Sequence, residues 1–132
     1  MNKLEVEQYI KKHQENKVKS SSFVEYLYTL MDKYGFVKAS ELYNKANISR
    51  QLWSSIISEK SNPSLEVCIK IVFVLKLNNS ECKLLLKKAG YTLASASKYS
   101  LIIRYAIEHQ EYDLIELNNM LEAFGCTDSI IQ

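Results

Sequence analysis

The sequence predicts an all-α protein, a compact bundle of about seven or eight short helices. Three observations carry this: only one Pro and three Gly occur in 132 residues, apolar residues recur at helical spacing, and no strict apolar alternation extends beyond a few positions. The length suits one domain with a modest core. Hydrophobic residues at 47% and charged residues at 24% exclude a disordered chain. The longest apolar run, Ile71 to Leu75, is too short to span a bilayer. No secretory signal is readable in MNKLEVEQYIKKHQ, so the expected compartment is the cytoplasm.

The elements follow in order. Residues 2–16 read as a polar amphipathic helix with Leu4, Val6, Tyr9 and Ile10 as its apolar positions, and Ser20-Ser21-Ser22 then breaks the chain. Ser22 caps a helix from Phe23 to Tyr34, where Phe23, Leu27, Leu30 and Met31 share one face and Gly35 ends the run. A short helix from about Lys38 to Lys45 turns Leu42 inward. Asn47 takes the turn, because Asn tolerates the left-handed conformation. Ser49 caps the next helix, whose Leu52, Trp53, Ile56 and Ile57 are expected to face the core.

Lys60-Ser-Asn-Pro63 breaks that helix, and Ser64 opens another. The segment Leu65 to Leu77 is rich in β-branched residues and by propensity alone fits a strand, but its length decides for a helix, apolar on nearly all sides. Asn78 to Glu81 resembles a capping box for the helix ECKLLLKKA, closed by Gly90, and Lys87-Lys88 complement its dipole. Ser97 opens a helix to about Glu108 with Leu101, Ile102, Tyr105 and Ala106 as its stripe, and Asp113 opens the last helix, which stops at Gly125. The expected organisation is an N-terminal arm (1–20), a core (22–90), a helical hairpin packed on it (91–125) and a frayed tail (126–132).

Catalytic chemistry is not expected. The sequence has no nucleophile elbow, phosphate-cradling glycine loop or HExxH pattern, and its carboxylates are scattered over predicted surface faces. Cys68, Cys82 and Cys126 are widely spaced and read as reduced packing residues. With His13 and His109 far from them in sequence, neither a metal site nor a cofactor is expected.

Charge is distributed unevenly. Residues 1–32 carry five Lys and five acidic side chains; residues 33–100 carry ten Lys and Arg50 against four Glu, a net +7; residues 101–132 carry Arg104 against six acidic residues, a net −5. The basic excess lies where Glu41 to Ser64 reads as a short helix, a tight turn and a second short helix, which is the footprint a phosphate-binding module needs. The alternative is an ordinary solvated surface with an acidic C-terminal helix. In the second short helix Arg50, Gln51, Ser54 and Ser55 are expected to face solvent. Arg pairs with guanine, Gln with adenine, and Ser with base or phosphate, so these four are the candidate base readers. Ser49, Lys38, Lys45, Lys60 and Lys70 are the candidate phosphate contacts. Trp53, on the apolar stripe, is assigned to core packing rather than ligand stacking.

The order ELYNKANISRQLWSSIISEKSNPSLEVCIKIVFVLKL resembles the Cro-type, or XRE-type, helix-turn-helix of phage repressors, over about Phe23 to Leu86. The later segment, LLLKKAGYTLASASKYSLIIRYAIEHQEYDLIELNNMLEAFG, is similar to the tail of a group of small bacterial proteins that carry this module. The Cro-type resemblance implies sequence-specific binding of double-stranded DNA, commonly as a homodimer, and hence transcriptional regulation. Ser49, Arg50, Gln51, Ser54 and Ser55 match its recognition-helix positions. The chain departs from the pattern at Tyr43, where a small residue is usual, and at Asn47, where Gly is usual.

A second expectation belongs to another class: a protein-binding inhibitor or adaptor on the same scaffold, for instance a mobile-element inhibitor of a nucleic-acid-guided bacterial defence nuclease. Glu108, Glu111, Asp113 and Glu116, with Tyr99 and Tyr112, form its expected interface, suited to a basic nucleic-acid channel. Tyr105 is expected in the core.

Overall fold

A computed structural model describes residues 1–19, 22–127 and 131, the side chains of 13–19 excepted. The described residues form eight helices and no strand: α1 (Lys3–Lys19), α2 (Phe23–Lys33), α3 (Ala39–Lys45), α4 (Arg50–Ile57), α5 (Leu65–Leu75), α6 (Asn79–Ala89), α7 (Lys98–Glu108) and α8 (Leu114–Ala123). No described helix is long and apolar enough to cross a membrane. The expected break at Ser20-Ser21 lies outside the described residues.

Local chemistry sets the helix starts. Ser22, Ser49, Ser64 and Ser97 each accept a hydrogen bond from the backbone N–H three residues on, satisfying a donor that the first turn leaves open. Asn78 and Glu81 form the complete reciprocal capping box. The β-branched segment is helical, as its length requires, but α5 stops two residues early: Lys76 takes φ 54°, and the Leu77 N–H returns to the Val72 carbonyl at 3.1 Å.

Helix α5 is the centre of the molecule. Val67, Cys68, Ile69, Ile71, Val72, Phe73 and Leu75 are all buried, so it packs around most of its circumference. Helices α3 and α6 lie against it, α2 and α7 pack on α6, α4 packs on α3, and α8 pairs with α7. Tyr112 ties the hairpin to this centre: its hydroxyl donates to the Leu77 carbonyl at 2.5 Å, and its ring meets Phe73 edge-on with centroids 5.8 Å apart. Glu81 joins α6 to α2. Its carboxylate accepts from Lys33 Nζ at 2.8 Å, from the Tyr34 hydroxyl at 2.5 Å and from the Asn78 N–H at 3.1 Å.

Three expectations are corrected. The α7 stripe is rotated by about one residue: Ser100, Ile103, Ala106 and Ile107 face the core, whereas Leu101 and Tyr105 face out, because the side that meets α6 is the one carrying Ile103 and Ile107. Tyr105 is 56% exposed and stacks on His109 with ring centroids 3.9 Å apart. Tyr99 is half-buried, and burial together with the nearby Glu66 pushes its phenol up to about 12. The tail does not simply fray: Ile131 is buried, its N–H and carbonyl both bonded to the Asn118 amide. Residues 128–130 and 132 lie outside the described residues.

The cysteines are free thiols. Burial pushes the Cys68 thiol up to about 12 and the Cys82 thiol up to about 11, and thiolate is the reactive form. Labelling native protein with a thiol reagent near pH 8 is therefore expected to modify one site rapidly, the partly exposed Cys126, with all three reacting only after denaturation. Fast reaction of two or more native thiols would contradict the buried placement.

Candidate nucleic-acid interface

The turn between α3 and α4 is pinned from both ends. Ala46 and Ile48 are buried on either side of Asn47, which takes φ 53° as the turn demands. The Ile48 N–H bonds the Tyr43 carbonyl at 2.8 Å, and the Ser49 hydroxyl accepts from the Leu52 N–H at 3.1 Å. Asn is among the few L residues that accept this backbone conformation readily, so it holds this turn without a large penalty.

Tyr43 fits because it has a partner. Its half-buried ring lies 5.7 Å from the Trp53 ring at an interplanar angle of 40°, so an aromatic contact joins α3 and α4 where a small residue would bring the backbones together. Trp53 and Ile56 are buried and anchor α4. The inward stripe is narrower than expected: Ile57 is half-buried and Leu52 is 38% exposed. The principal helix neighbour of α4 is α3, and one neighbour covers a narrower sector than four residues span.

On the outward side Arg50, Gln51 and Ser54 are exposed. Ser55 is not equivalent to them. It is partly buried and its hydroxyl is 2.6 Å from that of Ser61, so its hydrogen-bonding capacity is turned toward the loop that ends α4. Ser49 likewise spends a lone pair on its cap. The exposed Leu52 was not among the predicted readers, yet it stands beside Gln51 and is the type of side chain that meets a thymine methyl. Its position at the edge of the stripe was the available signal.

The lysines divide in the same way. Lys38, at the N-terminal end of α3, Lys45, at its C-terminal end, and Lys60, beyond α4, are exposed. Lys45 Nζ also sits 5.6 Å above the Phe36 ring, which limits the directions it samples. Lys70 does not belong with them. It is 8% exposed within α5, with its Nζ 3.9 Å from Glu66. A lysine buried in this way does not reach a phosphate backbone.

The acidic C-terminal face is also resolved into parts. Glu108, Glu111, Asp113 and Glu116 are exposed. The last three border an apolar groove of about 420 Å³ between α7 and α8, floored by Leu101, Tyr105, Leu117, Met120 and Phe124. The Asp113 carboxylate caps α8, accepting from the Ile115 and Glu116 N–H groups at 2.9 and 3.2 Å. Tyr99 and Tyr112 are held in the interior contacts described above. Among the described residues no cluster of three or more His, Cys, Asp or Glu is placed to hold a metal ion. Comparison of the chain with known protein families, curated proteins and solved structures finds no match.

Proposed function

We propose that this chain binds double-stranded DNA sequence-specifically through α4, acting as a homodimeric transcriptional regulator. One observation supports this above others: Arg50, Gln51 and Ser54 are exposed on a helix whose opposite side is fixed in the core by Trp53 and Ile56. A rigidly seated helix with bidentate-capable side chains on its free side is what reading base edges requires. Lys38, Lys45 and Lys60 supply phosphate contacts near the ends of α3 and α4, and Arg50 adds a fourth charge.

The test is a salt titration of binding to random duplex DNA. Four cationic contacts per protomer give a slope of log affinity against log salt of about −3 to −4. Lys60→Gln should lower that slope by about 1, and Lys70→Gln should change it much less because that side chain is largely buried beside Glu66. Absence of binding at low salt sinks the DNA reading. That outcome favours the rival, a protein-binding inhibitor or adaptor, which the acid-bordered groove between α7 and α8 supports.

A further inference from the structure

We infer that two copies of this chain pair by exchanging α1, the apolar side of each α1 lying in the α7–α8 groove of the other copy. Among the described residues two apolar faces are exposed. On α1, every side chain of residues 1–12 is exposed, including Val6 and Ile10, which lie one turn apart on the same side. On the hairpin, Leu101, Tyr105, Met120 and Phe124 are exposed together along one groove. Contiguous apolar surface of this kind marks an interaction site.

Charge selects the occupant. The groove is bordered by Glu111, Asp113 and Glu116, and no cation lines it. Two grooves meeting face to face would oppose these carboxylates, whereas residues 1–12 carry Lys3, Lys11 and Lys12 against Glu5 and Glu7, a net +1 in which Lys3 pairs with Glu7 at 3.9 Å and Lys11 and Lys12 are left to meet the groove's rim. The dimensions agree. A helix of 17 residues is about 25 Å long and covers the roughly 16 Å run of α7 beside α8. Reciprocal exchange makes both junctions identical and closes a two-fold dimer, the commonest form of homo-oligomer. The inference does not depend on DNA binding, since its test reads mass and proximity alone.

The experiment measures the mass of the full chain by sedimentation, with Ile10→Glu and Met120→Glu as single variants. Wild type should be dimeric, and each variant alone should dissociate at least tenfold more readily. A monomeric wild type, or a dimer weakened by Met120→Glu but not by Ile10→Glu, would overturn the exchange. A photo-crosslinker at position 10, in a mixture of isotopically light and heavy wild-type chains, covers the case in which Met120→Glu fails to fold. Crosslinks to α7 or α8 between copies support the exchange, and crosslinks only within a copy overturn it.

Discussion

Replacing Arg50 and Gln51 together by alanine is expected to abolish preference for a selected DNA sequence while leaving the fold intact. Each bidentate contact to a base edge contributes about 1–3 kcal/mol of discrimination, so the pair should lower affinity for a selected duplex by roughly 2–6 kcal/mol per protomer. Binding to random duplex should fall far less, its salt slope dropping by about 1 for the lost guanidinium. Neither residue supports the core: both are exposed, and the Ser49 cap, Trp53 and Ile56 remain in place. Ser54→Ala should have a smaller effect on preference, and Ser55→Ala almost none, because that hydroxyl is engaged by Ser61. The check is a duplex selected from a random pool by the wild type, then titrated with each variant. Equal retention by the double variant would remove α4 as the reading element.

What the sequence makes legible in this molecule is what local chemistry decides. A serine before an apolar run, or Asn78 followed by Glu81, marks a helix start because donor and acceptor lie within three residues. The same holds for the left-handed Asn47, whose side chain suits the conformation wherever the rest of the chain goes. Which face of a helix becomes buried is a different matter. In α7, Leu101 with Tyr105 and Ile103 with Ile107 repeat with equal regularity, and the choice between them belongs to packing against α6 across the 90–97 connector, which the spacing within α7 does not encode. Lys70 had a readable sign, since a lysine set within VCIKIVFVL must share the burial of its neighbours. Ser55 had none, because its partner Ser61 reaches it only through the loop that leaves α4. The four proposed readers therefore become three with free side chains, and the five proposed phosphate contacts become Lys38, Lys45 and Lys60.

The largest stability effect outside the apolar core is expected at Glu81. This carboxylate is 8% exposed and joins two helices through Lys33, Tyr34 and the Asn78 N–H. Glu81→Ala removes a capping-box partner and leaves the Tyr34 hydroxyl and the Asn78 N–H without their acceptor. Counting a charged hydrogen bond at about 1.5–3 kcal/mol and a cap at about 1, and discounting the Lys33 pair because that side chain is largely solvated, the loss is about 2–4 kcal/mol. For a chain of this size that lowers Tm by roughly 10 °C. Glu81→Gln keeps an acceptor for Asn78 and should cost less, and it separates charge from shape. Burial pushes the Glu81 carboxyl up, but the hydrogen bonds from Lys33, Tyr34 and Asn78 outweigh it, so its pKa lies below the ordinary 4.5. Near that pH the unfolded chain therefore binds more protons than the folded one, and stability falls as the solution is acidified. At the other end, the hydrogen bond to Glu81 raises Lys33 above its ordinary 10.5, a contribution present below that value and lost as pH rises through the raised one. The stability difference between wild type and Glu81→Gln should thus be flat from about pH 6 to 9 and shrink on acidification below about 4.5. Urea unfolding of both proteins across that range checks it, and parallel profiles below pH 5 would show that the carboxylate's charge contributes nothing to joining α2 and α6.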